Sequence, residues 1–377
     1  MGRVLAAVMP APRARVEVRE FDEPDLALGA ALLETIYSEV CGTDVHLWHG
    51  RLAGVPYPII PGHVSVGRLA KTRGEVRALD GSPLAEGDLV VFYDVHRACG
   101  RCYACTVART PTRCPSRRVY GITDPASEGL LGGWSEAIYL EPGVVAARLP
   151  AGVAPEDYIG GGCGLITAVH MVERAALRLG DTVVVQGVGA VGLATIALAK
   201  SNGAQTVVAI GAPGDRLALA KRMGADEALD LQATSADDRR ARVHRLTGGR
   251  GADVGFEAAG SARAVEEGLD LLRDGGAYVV AGHYTDAGDS HVNFHRQVNR
   301  KHLDIRGCWG SEARHFARAL DVLAHLAGHV PWREIGARVY GLDQLNQALA
   351  DAEAMRLPKA LVHPRSPIPK TSQGLRP

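Results

Sequence analysis

The stretch "VVVQGVGAVGL", residues 183–193, joins an apolar run to a glycine-rich turn and then to the start of a helical pattern. Gly187, Gly189 and Gly192 have the spacing G-x-G-x-x-G. Between a strand and a helix, this spacing is typical of a dinucleotide-binding turn, and the context disfavours a plain glycine-rich connection. Gly187 would allow the tight turn, Gly189 the approach of a pyrophosphate, and Gly192 the packing of helix on strand. The helix N-terminus would present free N–H groups to the phosphates.

Apolar strands and helical patterns alternate on both sides of this turn, from about residue 165 to residue 309. "TVVVQ" (182–186) is followed by a helical pattern, and "TVVAI" (206–210) is followed by "RLALAKRMGA" (216–225). Alternation of this kind predicts βαβ units and a parallel sheet. The fold class expected here is therefore α/β, with a doubly wound Rossmann sheet.

The end of the second strand bears on the choice of cofactor. An acidic residue at this position would bind the adenosine ribose, but the sequence has Gly211, nineteen residues after Gly192. Without a carboxylate, a 2′-phosphate is permitted but not required. Arg216 is the nearest cation that could favour it, and Asp215 beside it weakens that preference. The sequence leaves NAD and NADP open.

The first 150 residues have a different pattern of apolar and polar residues. Short alternating runs such as "RVEVREF" (15–21), "GDLVVFYDV" (87–95) and "SEAIYL" (135–140) lie between glycines and prolines. This pattern predicts a β-rich domain with many turns.

Charge and hydropathy exclude several classes of protein. Lys+Arg and Asp+Glu are equal at 42 each, which gives no reason to expect nucleic acid or an anionic membrane as a partner. No apolar run approaches the roughly 18 residues that a membrane span needs, and the first apolar run is too short for a signal peptide. A cytoplasmic protein is expected. In that compartment, metal ligation or catalysis explains seven cysteines better than disulfides do.

Four of the cysteines form a tight cluster with the spacing C-x2-C-x2-C-x8-C: Cys99, Cys102, Cys105 and Cys114. Four thiolates so close in sequence match a closed tetrahedral zinc site of the structural type.

Three cysteines remain: Cys41, Cys163 and Cys308. A catalytic zinc needs about three protein ligands and one open position. Cys41 and Cys163 can supply two thiolates, and His63, which follows a glycine, can supply the third ligand. No spacing forces these three together, so from the residues alone the set is a hypothesis.

These motifs together resemble the zinc-dependent medium-chain alcohol dehydrogenase family, including its sorbitol- and threonine-dehydrogenase-like branches. The resemblance runs from about Val4 to His363 and rests on six motifs: "CGTDVH" (41–46), "PGHVSVG" (61–67), "CGRCYAC" with Cys114 (99–114), "GGCGLITAVH" (161–170), "GVGAVG" (187–192) and "GADVGFEAAG" (251–260).

The resemblance implies two zinc ions per chain and reversible hydride transfer between an alcohol and NAD or NADP. It assigns Cys41, His63 and Cys163 to the catalytic zinc and the four clustered cysteines to the structural one. It matches Thr43 and His46 to a relay that carries the alcohol proton to solvent. It matches Asp44 to the acid that orients the zinc-binding histidine.

The resemblance also implies the organisation of the chain. A discontinuous GroES-like catalytic domain is expected at 1–164 and 310–363, and a Rossmann domain at 165–309. By its composition, the proline-rich and polar stretch "PRSPIPKTSQGLRP" (364–377) is expected to be a disordered tail. The family commonly assembles as homodimers or homotetramers through its cofactor domains.

The sequence departs from the family pattern at three points. Val64 replaces the glutamate that usually follows the zinc-binding histidine. In the family, that carboxylate is thought to assist ligand exchange at the zinc, so Val64 puts this assistance in doubt. The last gap of the cysteine cluster is one residue longer than usual, and Gly211 replaces the usual acid. Three alternatives stay open: a reductase working mainly from the carbonyl side, a zinc-free quinone-reductase-like member, which the metal ligands disfavour, and a catalytically silent NAD(P)-binding protein. The substrate is left open.

Overall fold

The computed structural model describes residues 2–366 of the 377-residue chain. Most of the predicted tail, residues 367–377, lies outside the described residues. Within residues 2–366, no helix is both long enough and apolar enough to span a bilayer.

The contacts within the chain divide it into two compact units. Of the described residues, unit 1 contains residues 2–97, Arg118–Arg148 and residues 338–366, and unit 2 contains Ala98–Arg117 and Leu149–Ala337. The domain boundaries expected at 164/165 and 309/310 stay predictions. The contact-based units differ from them in three stretches, which they group with unit 2: the loop of four cysteines (98–117), residues 149–164 and residues 310–337.

Nineteen strands are described. In chain order they are β1 Arg3–Val8, β2 Glu17–Asp22, β3 Ala31–Val40, β4 Ser65–Thr72, β5 Val76–Arg77, β6 Pro83–Leu84, β7 Leu89–Phe92, β8 Val95–Arg97, β9 Arg118–Val119, β10 Ala137–Leu140, β11 Ala146–Arg148, β12 Thr182–Gln186, β13 Thr206–Gly211, β14 Glu227–Asp230, β15 Ala252–Glu257, β16 Leu272–Val280, β17 Asp304–Gly307, β18 Gly336–Tyr340 and β19 Lys359–Val362.

The α-helices described are α1 Gly42–Trp48, α2 Tyr103–Thr106, α3 Pro155–Ala175, α4 Ala190–Ser201, α5 Gly214–Arg222, α6 Ala236–Leu246, α7 Ala262–Leu271, α8 Ala313–His325 and α9 Leu345–Glu353. Short 3₁₀ turns lie at Pro111–Arg113, Ala126–Glu128, Trp332–Glu334 and Leu342–Gln344, and a π turn lies at Phe294–Asn299.

Unit 1 is built on a seven-stranded sheet with the order β11-β7-β4-β3-β19-β18, in which β10 also pairs with β3. One edge of β3 is shared by two antiparallel partners. Its first half pairs with β10, and its last residues, Ser38–Val40, pair with β19. The end of β3, just before Cys41, therefore lies beside a strand from the C-terminal part of the chain.

Unit 2 contains six strands that are all parallel, in the order β14-β13-β12-β15-β16-β17. Val183, Val184 and Val185 of the central strand β12 are at most 1 % exposed, as a parallel strand covered on both faces requires. The strand order reverses at β12, and in sheets of this type ligands bind where the order reverses. This confirms the predicted doubly wound sheet.

Candidate metal and cofactor sites

The first candidate site begins where β3 ends. Cys41 follows the strand in extended conformation and precedes α1. Its backbone N–H donates to Oδ2 of Asp44 at 2.8 Å, so Asp44 closes the first turn of the helix. Asp44 is fully buried, and burial raises the pKa of its carboxyl to about 6, although His63 and the Cys41 N–H act to lower it. Asp44 thereby fixes the backbone that presents the Cys41 thiol.

His63 reaches the same place from a glycine turn. Gly62 has φ +89°, and a Cβ there would lie 2.7 Å from Oγ of Ser38 and from Cδ1 of Trp134. Only glycine fits this turn. His63 is 4 % exposed, and its Nε2 lies 4.0 Å from Sγ of Cys41. Cysteine and histidine side chains are typical zinc donors, so the pair fits zinc.

A carboxylate that the sequence analysis missed lies beside this pair. Oε1 of Glu39 is 3.3 Å from Nε2 of His63, and the ligand atoms of Glu39, Cys41 and His63 lie within 4.8 Å of one another. Oε2 of Glu39 is 2.5 Å from Nζ of Lys359. Both Glu39 and Lys359 are fully buried. Val64, next to His63, is 2 % exposed and brings no carboxylate.

Strand periodicity is the signal that would have revealed Glu39. Residues two apart on a strand face the same side, so Glu39 and Cys41 share a face at the end of β3. Nothing local to Lys359 indicates its role, because its position depends on the pairing of β19 with β3.

The predicted relay residues lie on α1. Thr43 and His46 are both half-buried, and burial, followed by Arg51 and His49, lowers the pKa of His46 below its usual value. The remaining predicted ligand, Cys163, lies in unit 2 on α3, directly after Gly162. Gly162 has φ +44° and ψ −141° and interrupts the helix, so Cys163 stands at a kink.

The four clustered cysteines form the second candidate site. The ligand atoms of Cys99, Cys102, Cys105 and Cys114 lie within 4.8 Å of one another. The sulfur atoms of Cys102 and Cys105 are 3.6 Å apart, close to the separation of about 3.8 Å that tetrahedral Zn–S bonds of 2.3 Å give. The set therefore fits a zinc ion.

Backbone N–H groups favour a thiolate at Cys99, whereas desolvation raises the pKa of the Cys105 thiol to about 12. Cys99 donates its own N–H to Sγ of Cys114 at 3.3 Å. The N–H groups of Arg101 and Cys102 lower the pKa of the Cys99 thiol to about 6. A thiolate is the form that binds metal. Pro111 opens the 3₁₀ turn that precedes Cys114 and helps to set the shape of the loop.

The glycine turn after β12 has room for a ligand at one position and none at the other two. Gly187 has φ +108°, and a Cβ there would lie 2.7 Å from the backbone of Ala258. A Cβ on Gly192 would lie 1.9 Å from the carbonyl oxygen of Gly187. Gly189, which precedes the first turn of α4, faces open space, and a Cβ on it would meet no atom within 4 Å. This arrangement fits a dinucleotide pyrophosphate.

The residues at the end of β13 explain the missing acid. A Cβ on Gly211 would lie 2.5 Å from Cγ2 of Val188, so the turn after β12 occupies the space that a larger side chain would need. Arg216 lies in the first turn of α5 and is 9 % exposed. Burial lowers the pKa of its guanidinium.

Comparison with known proteins finds two family models that match the chain. The family model "Alcohol dehydrogenase GroES-like domain" matches residues 28–151, and the model "Zinc-binding dehydrogenase" matches residues 190–325. The chain is 32% identical over 360 residues to 5-exo-hydroxycamphor dehydrogenase of Pseudomonas putida, with 95% of this chain and 98% of the relative covered. It is 31% identical over 307 residues to an erythritol/L-threitol dehydrogenase of Mycolicibacterium smegmatis, with 78% of this chain and 81% of the relative covered.

Solved structures are similar as well. An alcohol dehydrogenase from Thermotoga maritima has a TM-score of 0.92 and 33% identity, over 97% of this chain and all of the other. A protein of Sinorhizobium meliloti 1021, whose structure was solved with NADP bound, has a TM-score of 0.84 and 25% identity, with 97% of this chain and 100% of that one covered.

The chain belongs to the zinc-dependent medium-chain alcohol dehydrogenase family. It is an oxidoreductase that transfers hydride between an alcohol and NAD or NADP, with zinc as its metal. The predicted fold class, a GroES-like domain together with a Rossmann domain, is confirmed.

Proposed function

We propose that Cys41, His63 and Cys163 hold the catalytic zinc, and that Cys99, Cys102, Cys105 and Cys114 hold a structural one. The observation that carries the proposal is the buried pair of Cys41 and His63, whose donor atoms are 4.0 Å apart. When bound there, zinc supplies a Lewis acid that polarises the oxygen of an alcohol or carbonyl.

The other residues of the site bind and move protons. We assign to Thr43 the acceptance of the alcohol proton and to His46 its transfer toward solvent. Both are half-buried on α1, and the lowered pKa of His46 keeps its ring neutral and able to accept that proton near pH 7. Asp44 supports the relay indirectly, because it fixes the first turn of α1.

The cofactor is assigned to the turn after β12. Gly189 gives the pyrophosphate its space, and Gly187 and Gly192 hold the turn against Ala258 and the strand. Gly211 leaves the ribose hydroxyls without a carboxylate partner, which supports acceptance of NADP as well as NAD. Arg216 is the nearest cation to that position in the sequence.

The substrate we propose is a secondary alcohol that is oxidised to a ketone. The names of two relatives support this class, since one acts on 5-exo-hydroxycamphor and another on erythritol or L-threitol. Cyclic secondary alcohols and polyols are therefore the first two groups to test.

A cofactor-reduction assay tests the proposal. Zinc-loaded protein is mixed with NAD or NADP and a panel of cyclic secondary alcohols, polyols and hydroxy amino acids, and absorbance of the reduced cofactor is followed. Turnover with a secondary alcohol supports the proposal and settles the cofactor. Ketone reduction without alcohol oxidation would identify a working reductase. Silence in both directions would instead favour a catalytically silent NAD(P)-binding protein.

We also propose that the chain works as a homodimer or homotetramer in the cytoplasm. All seven cysteines lie among the described residues and none forms a disulfide, which suits a reducing compartment. Light scattering of the purified protein measures the assembly, and a monomer at micromolar concentration would contradict it.

A further inference from the structure

Glu39 places a carboxylate oxygen where a zinc donor would stand. When nitrogen and oxygen donors bind zinc tetrahedrally at 2.0–2.1 Å, the two donor atoms lie about 3.3–3.4 Å apart. Oε1 of Glu39 lies 3.3 Å from Nε2 of His63. The carboxylate therefore already has the separation from His63 that a shared metal ion would give it.

Lys359 holds the other oxygen of the same carboxylate. Its Nζ lies 2.5 Å from Oε2 of Glu39, and both side chains are fully buried. A buried charge is costly unless it is paired, so each of these groups requires the other. Because the ammonium takes Oε2, Oε1 remains directed toward His63 and Cys41.

The backbone that carries Glu39 is fixed. Trp134 donates its indole N–H to the carbonyl oxygen of Glu39 at 2.8 Å, and Leu361 of β19 lies opposite Glu39 in the antiparallel ladder. Glu39 can therefore reach or leave a metal only by rotation of its side chain.

We infer that Glu39 is a further zinc donor of this site, and that it competes with the substrate oxygen for one coordination position while Lys359 holds its charge. The inference rests on the proposed function, since it requires a metal at Cys41 and His63. Its consequence is a site that stays closed to small adventitious ligands until a substrate of sufficient affinity displaces the carboxylate.

Cobalt(II) substitution tests this inference without measuring activity. The visible spectrum of protein-bound cobalt responds to donor set and coordination number, and imidazole serves as the small competing ligand. Cys41→Ala protein supplies the spectrum of the four-cysteine site alone, which is subtracted. Glu39→Gln should change the remaining spectrum and bind imidazole about tenfold more tightly, because no internal carboxylate competes.

Two more variants keep the test decisive. Glu39→Asp retains the charge but withdraws the carboxylate by one methylene, so this variant should also bind imidazole more tightly than wild type. If Glu39→Gln does not fold, Glu39→Asp alone tests whether Glu39 is a metal donor. Lys359→Met should bind imidazole more weakly than wild type, because the buried carboxylate then depends on the metal for charge compensation and holds it more tightly. Asp124→Asn is the matched control: Asp124 is a buried carboxylate of unit 1, paired with His96 at 3.0 Å, and its removal should leave spectrum and affinity unchanged.

The outcomes separate this inference from the proposed function. An unchanged spectrum and imidazole affinity in both Glu39 variants would overturn the inference and leave Glu39 as a structural partner of Lys359 and His63. Wild-type protein that binds no more cobalt than the Cys41→Ala variant would instead overturn the proposed catalytic zinc site.

Discussion

Gly192 and Gly187 touch across the turn between β12 and α4: a Cβ on Gly192 would lie 1.9 Å from the carbonyl oxygen of Gly187. We therefore expect Gly192→Ala to push the helix away from the strand and to lower the thermal midpoint of unfolding. A loss of about 1–3 kcal/mol, typical of overpacking, is the expected size. Differential scanning calorimetry measures it.

Gly189→Ala is the companion variant, because a Cβ there meets open space. Its thermal midpoint should stay within about 1 °C of wild type, since φ at Gly189 is −80° and suits alanine. Affinity for NAD and NADP should fall about tenfold or more, because the methyl group stands where the pyrophosphate approaches. Unchanged cofactor affinity in Gly189→Ala would place the pyrophosphate elsewhere.

Cys41→Ala should remove one of two zinc ions and at least about 10³-fold of the turnover number, because a metal Lewis acid stabilises transition-state charge by several kcal/mol. Zinc content is measured by atomic emission and turnover with the best alcohol of the panel. Cys308→Ala is the matched control: Cys308 is a buried cysteine outside both metal sites and should keep both ions. Full zinc content in Cys41→Ala would contradict the assignment.

Cys105→Ser should remove the other zinc ion and lower the thermal midpoint by on the order of 5–10 °C, because a structural zinc contributes directly to folding free energy. Residual turnover of the folded fraction should remain, in contrast to Cys41→Ala. Calorimetry, zinc content and turnover are measured on the same preparation. A variant with one zinc ion and no loss of stability would show that the cluster does not serve the fold.

Thr43→Val should reduce the turnover number by about 10²–10⁴-fold, the usual contribution of a proton acceptor, while Thr43→Ser should retain most of it. Both variants replace the native side chain, but only serine keeps a hydroxyl group. Steady-state kinetics with a panel alcohol decides between them. Equal loss in both variants would mean that Thr43 acts by packing and not through its hydroxyl.

The stability of unit 2 should depend on pH through His315. Nδ1 of His315 accepts the N–H of Glu312 at 2.8 Å, Nε2 lies 3.2 Å from Oε2 of Glu173, and the ring stacks on His170 with centroids 4.3 Å apart. Burial, followed by the charge of His170, lowers the pKa of His315 from 6.5 to about 4. Because Nδ1 already accepts a hydrogen bond, protonation would break the start of α8.

The sign of this effect follows from proton binding in the two states. As pH falls from 6.5 toward 4, unfolded His315 takes up a proton and folded His315 does not, so stability falls by up to about 1.4 kcal/mol per pH unit. His315→Gln should melt lower at pH 7.5 but lose less on acidification to pH 5. His325→Gln, at an exposed histidine on the same helix, should keep the wild-type slope. Parallel slopes for His315→Gln and wild type would contradict the prediction.

The sequence predicts those parts of the site whose residues lie close together along the chain. The glycine turn joins β12 to α4 within a few residues, and the four cysteines fall between residues 99 and 114, so spacing alone indicates their geometry. The alternating pattern that predicts the parallel sheet is equally local.

What the sequence does not predict depends on pairing between distant strands. In the sequence, Glu39 has no feature that distinguishes it from other strand residues. Only the pairing of β19 with β3 brings Lys359 to its carboxylate. Asp44 was expected to orient His63, and that stays a prediction, while its hydrogen bond to the Cys41 N–H fixes the helix that presents the cysteine. A register shift of one residue between β3 and β19 would turn Lys359 to the other face of the sheet, away from Glu39.

The pairing of β3 with β19 also sets an order for synthesis on the ribosome. All six parallel strands of unit 2 lie between β3 and β19 in the chain, so they emerge and can associate while the β3 edge beside Cys41 still lacks its partner. Glu39 meets Lys359 only after that strand has left the exit tunnel. Unit 1 is therefore begun first and completed last, and a nascent chain arrested before residue 359 would carry an unfinished β3 edge.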